Sequence, residues 1–404
     1  MYSHILARME VNQYGDIKKQ SLTDHLLEVG RIAGEIGDTI GIKYMMMHIG
    51  YLHDMGKADS HFQNYLKGHT NKKVDHSSAG AKLWVHILAN TEVNSNNTRF
   101  QYYKEIVIYI IQSHHGLFDI LNFDNKKNKS FERLNYDNFD EYHFSDEVIT
   151  YFNHFNLHLE CNNNYTIQDL IWKGFDEFNL IFDKLKKLAN SNPRASSSKS
   201  IFIHEFNYYI SCFVRLCLSI LKEADIYNSA NTFENEKQKV WSENELQDIW
   251  NDGYSKIETI YKEYNKVDKP SELNLTRTAM SKAAKRFAFS HNEGIFQLEM
   301  PTGAGKTKSS LRYALTNAKT YRKKRFFYIT AFLSVLEQNA DEIKKIISND
   351  SVVLEHHSNL ITEENRYDEQ IKYNRENRML DYLKESWEAP IILTTMVQFC
   401  NTLY

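Results

Sequence analysis

The sequence has 404 residues, of which 42% are apolar, 13% aromatic and 25% charged, and its net charge is -3. These values are those of an ordinary globular protein, and the length predicts two domains. The charge excludes binding to nucleic acid through a bulk positive field, so any such contact must use local patches. The sequence shows no signal-peptide core, no CxxC pair and no apolar window long enough to span a membrane. We therefore expect a cytoplasmic protein.

The first part of the chain, residues 1–245, has the pattern of a helical domain. Residues 21–37 and 103–116 carry apolar side chains at close to the helical period, and the second segment ends at a glycine. Residues 201–229 are so apolar that they predict a buried central helix. The polar insertions between such segments are predicted to be surface loops.

From residue 271 the pattern changes to short apolar runs that alternate with helical segments. GIFQLEM, RFFYITAF and APIILTTM are predicted to be strands, and their alternation with helices predicts a parallel sheet. The predicted fold class is α + α/β. It comprises an all-helical domain over 1–245, a linker or connecting helix over 246–270, and an incomplete α/β domain over 271–404.

The segment GYLHDMGKADSHFQ places His53 and Asp54 side by side at the end of an apolar helix. Since the chain has 17 histidines, such a pair alone is close to chance. Neighbours on a helix point about 100° apart, so adjacent donors can face different points of one small metal cluster. A carboxylate on the apolar segment around Asp225 would be costly to bury without compensation. His53, Asp54 and Asp225 belong to an ordered set of histidines and acids along the chain. The other members are His25, His76, His114 and His115, and the whole set predicts a metal site.

This ordered set resembles the HD phosphohydrolase superfamily, and more closely the HD nuclease domain of CRISPR-associated nuclease–helicases of type I systems. HDMGKADSHFQ, HSSAG and HHG carry the resemblance. It implies two metal ions bridged by Asp54: one is held by His25, His53, Asp54 and Asp225, the other by Asp54, His76, His114 and His115. It also implies cleavage of single-stranded DNA that a motor feeds to the nuclease, after recruitment by an RNA-guided surveillance complex.

The chemistry is consistent with this resemblance. Two metal ions about 3.5–4 Å apart provide an activated water, charge stabilisation and help for the leaving oxygen. Mixed imidazole and carboxylate ligands suit Mn, Fe, Co, Ni or Zn better than Mg or Ca. Asp54 and Lys57 are the predicted catalytic residues, Lys57 as a point charge for a phosphate, with an ordinary solvated lysine as the alternative. The histidines at positions 4, 48 and 61 are predicted to be structural or surface residues.

A second motif, QLEMPTGAGKTKSS, predicts a nucleotide-binding loop between a strand and a helix. Glycines let backbone N–H groups surround phosphates, and the helix N-terminus adds its dipole. Lys306 is predicted to meet the β and γ phosphates of ATP and Thr307 to bind Mg²⁺. The predicted nucleotide-binding residues are Thr302, Gly303, Ala304, Gly305, Lys306 and Thr307.

The segments after this loop resemble the first, RecA-like motor domain of superfamily 2 helicases. YITAFLSVLEQNA, VVLEHHS and PIILTTMVQFCNTL carry the resemblance, and Ser334, Thr394 and Thr395 are candidates for contact with nucleic acid. DEQI at 368–371 follows charged residues rather than a strand, so it is not the acidic box that a helicase needs. We therefore expect weak ATP binding without hydrolysis or unwinding. An exposed apolar sheet edge is also expected, and it predicts a partner chain that supplies the missing helicase part, instability or association.

The leading hypothesis is a metal-dependent nuclease for single-stranded DNA in antiviral defence. One alternative is a non-catalytic regulator that occupies the surveillance complex or the nucleotide site. Another is an HD-type nucleotide phosphohydrolase for small phosphates or cyclic nucleotides, against which the attached nucleotide loop argues. Separate measurements of binding and cleavage, over a panel of substrates, distinguish the three.

Overall fold

The structure, a computed structural model, divides into two compact units, Met1–Asn235 and Glu236–Tyr404. It describes residues 4–11, 17–72, 74–89, 97–116, 129–134, 144–193, 198–231, 241–264, 266, 271–357 and 387–403. Within these ranges, no helix has the length and apolar character needed to cross a membrane.

The first unit is mostly helical. Its strands are β1 (Leu6–Val11) and β2 (Ile17–Ser21), and a 3-10 helix covers Met55–Ala58. Its α-helices are α1 (Leu22–Asp38), α2 (Lys43–Leu52), α3 (Ser60–Leu66), α4 (Ser77–Ala89), α5 (Thr98–Ser113), α6 (Lys129–Leu134), α7 (Asp146–Asn163), α8 (Ile167–Ser191) and α9 (Lys199–Asn231). Periodic apolar faces of these helices meet in one core, in which Trp84, Tyr103 and Phe178 are fully buried.

The prediction of an all-helical first domain is wrong at its start, where β1 and β2 form an antiparallel hairpin. The strand sequences LARMEV and IKKQS contain no continuous apolar run such as those of β3 and β5, so they gave no strong signal. The hairpin is tied to the rest of the unit by Gln63, which accepts a hydrogen bond from Leu6 N (3.1 Å) and donates to Leu6 O (2.8 Å). The same amide nitrogen donates to Lys57 O (2.7 Å), so it joins the hairpin to the 3-10 helix.

Helices α1 and α2 cross in close contact at two glycines. A Cβ atom on Gly50 would lie 2.7 Å from Gly30 Cα, and one on Gly30 would lie 2.1 Å from the Tyr51 ring. Only glycine at these positions allows the two backbones to approach so closely. The crossing brings His25 of α1 and the end of α2 to the same region of the core.

The second unit contains a parallel sheet with the order β3-β5-β4, made of β3 (Phe326–Thr330), β4 (Val353–His356) and β5 (Ile391–Thr395). Its helices are α10 (Glu243–Tyr264), α11 (Glu272–Ser290), α12 (Lys306–Tyr321), α13 (Leu333–Ile347), a 3-10 turn at Asp350–Val352, and α14 (Met396–Leu403). With the helical first unit, this parallel sheet confirms the predicted α + α/β class.

Helix α10 occupies most of the segment predicted to be a linker or connecting helix over 246–270. Its residues Trp250 and Ile257 are fully buried and belong to the core of the second unit. The Trp250 indole also donates to Lys323 O at 2.8 Å. The segment is therefore part of the second unit, Glu236–Tyr404.

The strand predicted at GIFQLEM is wrong, because residues 294–300 form neither strand nor helix. Ile295, Phe296 and Leu298 are exposed. A strand is stable only where a neighbour pairs with its backbone groups, and in the described part of the sheet β3 and β4 each pair with β5. The other two predicted strands are confirmed as β3 and β5.

Candidate metal centre and nucleotide loop

Seven predicted ligands come together inside the first unit. His25 lies on α1, His53 and Asp54 follow α2, and Asp225 lies on α9. The remaining three, His76, His114 and His115, lie directly before α4 and directly after α5. The side chains of His25, His53 and Asp54 are fully buried. Helix ends, together with Asp225 within α9, thus place imidazoles and carboxylates in one small region.

The Asp54 carboxylate lies between two sets of imidazoles, one at each oxygen. Its Oδ2 is 3.0 Å from His25 Nε2 and 3.3 Å from His53 Nε2. Its Oδ1 is 3.1 Å from His76 Nε2 and 3.3 Å from His114 Nε2. One carboxylate can therefore serve two neighbouring cation positions, one oxygen for each.

The remaining ligand candidates complete two groups that share Asp54. Asp225 Oδ1 is 3.6 Å from His25 Nε2 and 3.9 Å from His53 Nε2. His115 Nε2 lies 2.7 Å from His76 Nε2. In each group the donor atoms lie within 4.8 Å of one another. We name His25, His53, Asp54 and Asp225 the first group, and Asp54, His76, His114 and His115 the second group.

Three of the imidazoles have their second nitrogen fixed by a hydrogen bond. The Nδ1 atoms of His53 and His114 donate to the carbonyls of Gly50 (2.8 Å) and Ile111 (2.7 Å), and His25 Nδ1 donates to Asn228 Oδ1 (2.7 Å). With the proton on Nδ1, each Nε2 presents a lone pair, the arrangement of metal-binding histidines.

The donor set fits divalent cations. Among the described residues, His53 Nε2, His114 Nε2 and Asp54 Oδ1 are buried without a hydrogen-bond partner. Lone pairs that face a carboxylate in a buried site repel it unless a cation lies between them. Imidazole and carboxylate together suit transition ions. The two groups could each hold such an ion.

The protonation of the site agrees with this chemistry. Burial lowers the pKa of His25 and of His76, and burial with the neighbouring His114 lowers the pKa of His115 to about 3. Burial would raise the pKa of Asp54, but His53 and Lys57 hold it well below its usual range. Burial also acts to lower the pKa of His53, but Asp54 outweighs it and raises that pKa. His25, His76 and His115 are thus neutral imidazoles near an anionic carboxylate, and a metal ion must displace a proton from His53 to bind it.

Lys57 belongs to the same region and is not a solvated lysine. Its Nζ lies 2.6 Å from Asp54 Oδ2, and the residue is only 7% exposed. The ammonium also lies 5.7 Å from the centre of the Phe62 ring. Lys57 therefore places a fixed positive charge beside the shared carboxylate, and its contact with a phosphate stays a prediction.

The position of His76 depends on a close backbone contact. A Cβ atom on Gly56 would lie 2.2 Å from His76 O, so the 3-10 helix can pack directly on this segment. Asp75, two residues before α4, caps the first turn of this helix: its carboxylate accepts hydrogen bonds from Ser78 N (3.0 Å) and Ser78 Oγ (2.6 Å). These contacts explain the glycine of HDMGK and the serines of HSSAG.

The nucleotide loop keeps its turn and helix but not its strand. Gly303 and Gly305 adopt φ angles of 76° and 82°, which favour glycine, and α12 begins at Lys306, which is exposed. Thr307 Oγ1 donates to Asn339 Oδ1 at 2.7 Å. Arg277 Nε donates to Gly303 O at 2.7 Å.

Family models match both parts of the chain. Residues 22–143 match the HD domain, and residues 233–403 match the type III restriction enzyme, res subunit (ResIII). The chain joins an HD domain to a ResIII helicase-family domain. This order confirms the predicted pairing of an HD hydrolase domain with a helicase-type domain. An HD domain indicates a hydrolase that binds divalent metal ions.

One solved structure that matches the chain is a crystal structure of T. fusca Cas3-ATP. It shares 14% sequence identity with a TM-score of 0.40, covering 98% of this chain and 43% of that chain. The chain thus spans less than half the length of that protein. No curated protein matches the sequence.

In the ResIII domain, the three residues predicted to contact nucleic acid differ in position. Ser334 is exposed in the first turn of α13. Thr394 is fully buried and its hydroxyl donates to His356 O at 2.9 Å, so it cannot meet a phosphate as placed. Thr395 Oγ1 accepts from Gln398 N at 3.3 Å in the first turn of α14. The DEQI segment at 368–371 lies outside the described residues.

Three side chains beside the first group were not predicted from the sequence. Asn228 accepts from His25, Gln20 contacts Asn228, and Arg8 contacts Asp225. Asn228 follows Asp225 by one helical turn, a spacing that could have suggested it. No signal in the sequence marked Arg8 or Gln20, because the hairpin that carries them was not predicted. His48 and His61 lie outside both groups.

Proposed function

We propose that the HD domain is a metal-dependent nuclease that hydrolyses phosphodiester bonds of single-stranded DNA. The single observation that carries this proposal is the Asp54 carboxylate, which gives one oxygen to each of two groups of imidazoles and acids. Such a shared carboxylate is suited to two neighbouring cations. The order of an HD domain and a helicase-family domain supports a nucleic acid, rather than a small phosphate, as the substrate.

Each group would hold one divalent transition ion, with Mn, Fe, Co, Ni and Zn as the candidates. When bound, two such ions would supply a water acidified towards neutral pH and charge stabilisation for the phosphate in the transition state. Asp54 stays anionic and keeps both groups together. Hydrogen bonds to Gly50 O and Ile111 O hold the imidazoles of His53 and His114 in fixed orientations.

Lys57 has a distinct part in this proposal. Its ammonium group beside Asp54 offsets negative charge, which would otherwise repel an approaching phosphodiester. Burial restricts its motion, so the charge is positioned before substrate arrives. Lys57 thus favours substrate approach without being a metal ligand.

For the ResIII domain we infer ATP binding through residues 302–307, with Lys306 for the phosphates and Thr307 for Mg²⁺. The glycine conformations and the helix that begins at Lys306 support this inference. Residues 294–300, before the loop, form neither strand nor helix, so we expect weak binding, and neither hydrolysis nor unwinding by these residues alone. An RNA-guided surveillance complex in CRISPR antiviral defence would supply the displaced DNA strand.

The proposal is tested with purified protein, Mn²⁺ or Ni²⁺, and labelled single-stranded DNA. We expect cleavage by the wild type and its loss in Asp54→Ala. His61→Ala is the matched control, because His61 is an exposed histidine outside both groups. Equal cleavage by Asp54→Ala would reject the site. Hydrolysis of cyclic or small nucleotides without DNA cleavage would favour a nucleotide phosphohydrolase, and DNA binding without any hydrolysis would favour a regulator.

A further inference from the structure

The β1–β2 hairpin contacts α9 through two polar pairs, one for each strand. Arg8 of β1 donates from Nη2 to Asp225 Oδ1 at 2.9 Å. Gln20 of β2 donates from Nε2 to Asn228 Oδ1 at 2.9 Å. Asp225 and Asn228 are one turn apart on α9, so the hairpin contacts the same face of the helix that carries a member of the first group.

Asn228 links the hairpin to a second member of that group. Its Oδ1 accepts hydrogen bonds from both His25 Nδ1 (2.7 Å) and Gln20 Nε2 (2.9 Å). Gln20 and Asn228 are buried, and His25 is fully buried. Because the amide oxygen accepts the Nδ1 proton, it holds the His25 Nε2 lone pair towards Asp54 and Asp225.

Arg8 supports Asp225, the other member of the first group that the hairpin contacts. The Asp225 oxygen that it contacts is the one that faces His25 Nε2 and His53 Nε2. A guanidinium on that oxygen fixes the orientation of the carboxylate. It also explains why a carboxylate on an otherwise apolar helix keeps its charge: burial would raise the pKa of Asp225, but His53 and Arg8 hold it low.

His25 of the first group differs from His53 and His114 in how its imidazole is supported. His53 and His114 are oriented by backbone carbonyls, which no side-chain substitution removes. His25 is oriented by a side chain that the hairpin in turn holds. Support from the hairpin thus reaches the first group through His25 and Asp225.

We propose that the β1–β2 hairpin forms the outer shell of the first group and sets its affinity for metal through the positioning residues Gln20, Asn228 and Arg8. This inference rests on the proposed metal centre. It assigns to the hairpin a role in metal loading, and it makes the two metal positions separately adjustable. Outer partners of metal-binding histidines typically change affinity by about 10- to 100-fold.

The test is a titration of the metal-free full chain with Co²⁺, followed by visible absorption and by calorimetry. For the wild type we expect two binding steps. In Asn228→Leu one step weakens by about 10- to 100-fold, while the other keeps its affinity. Asn228→Asp keeps an acceptor oxygen for both His25 and Gln20, so it restores the weakened step. Lys19→Ala, an exposed neighbour on β2, is the matched control and leaves both steps unchanged.

Gln20→Met and Arg8→Met provide a second test if Asn228→Leu unfolds. Each removes one contact from the hairpin side, and each should weaken the same single step by a smaller factor. Equal weakening of both steps, or no change in either, would overturn the inference. Failure of the wild type to bind Co²⁺ at all would instead reject the proposed metal centre, so the two failures are distinguishable.

Discussion

The ammonium group of Lys57 lies 2.6 Å from Oδ2 of Asp54, and both side chains are buried. The same oxygen faces His25 and His53. Without metal, Lys57 therefore provides a large part of the positive charge that compensates the buried carboxylate. When metal ions are bound, they also compensate the Asp54 carboxylate, so less of this compensation depends on Lys57.

Lys57→Met is expected to destabilise the metal-free protein more than the metal-loaded protein. Loss of one partner from a buried ion pair costs about 3 kcal/mol, because the remaining charge is uncompensated. Urea unfolding with a chelator and with Mn²⁺ measures both values. Lys67→Met, at an exposed lysine, is the control. An equal loss of stability under the two conditions would contradict the assignment of a cation position next to Asp54.

His48 is expected to give the first unit a pH-dependent stability that is unrelated to metal. Burial lowers the pKa of His48 from 6.5 to about 4; Nδ1 donates to Tyr44 O (2.8 Å), and Nε2 lies 3.2 Å from Tyr103 Oη. The unfolded chain binds the proton more readily, so stability present above pH 6.5 is lost as the pH falls towards 4. The shift corresponds to about 3 kcal/mol.

This prediction is measured as a difference between wild type and His48→Gln. The stability advantage of the wild type should shrink between pH 7 and pH 4 in chelator, because the variant lacks the titrating group. His61→Gln, at an exposed histidine, serves for comparison. An advantage that stays constant across this range would show that His48 is not buried in its neutral form.

Gly50→Ala is expected to destabilise the first unit although alanine is the better helix former. On propensity alone, the substitution would stabilise a helix by about 1 kcal/mol. The new Cβ would lie 2.7 Å from Gly30 Cα, so the crossing of α1 and α2 must open. We expect a loss of about 1 to 3 kcal/mol, seen by urea unfolding. A lower free energy of unfolding in Gly50→Ala would support the close crossing of α1 and α2, and a higher one would contradict it.

Lys306→Ala is expected to abolish the weak ATP binding of the second unit. The lysine is exposed at the first turn of α12, behind a loop whose glycines have positive φ angles. Binding of a fluorescent ATP analogue measures the effect. Lys308→Ala, two residues later, is the control, since Lys308 is engaged with Glu342 at 3.0 Å. Binding that survives in Lys306→Ala and is lost in Lys308→Ala would reject the predicted role.

The sequence predicted those features that depend on long periodic segments or on residue identity. The helix at residues 199–231 and the strand at 391–395 are examples, because their apolar pattern is strong over their whole length. The prediction that this helix is buried is wrong, since Ile203, Tyr208 and Leu216 are exposed on it. The ligand candidates were found because an ordered set of histidines and acids is distinctive by itself. That they also lie within reach of each other depends on tertiary contacts such as the Gly30 and Gly50 crossing, which composition does not show.

What could not be predicted depends on pairing between distant segments. The β1–β2 hairpin exists because Gln63, more than fifty residues away, holds Leu6. The apolar segment at 294–300 has the composition of a strand, but no strand forms there. Nothing in the local sequence distinguishes Arg8 from a surface arginine, because its contact with Asp225 of α9 forms only in the folded unit. These outcomes are decided by neighbours rather than by local propensity.

The uncovered stretch around Ile295, Phe296 and Leu298 has a practical consequence for handling the protein. A segment without helix or strand that exposes apolar side chains suits the cleft of a protease such as chymotrypsin. All seven imidazole and carboxylate candidates precede residue 226 in the chain, so a cut at this stretch would spare them. Brief digestion should thus give two fragments on a denaturing gel: a shorter one that begins near the nucleotide loop, and a longer one that retains every proposed metal ligand.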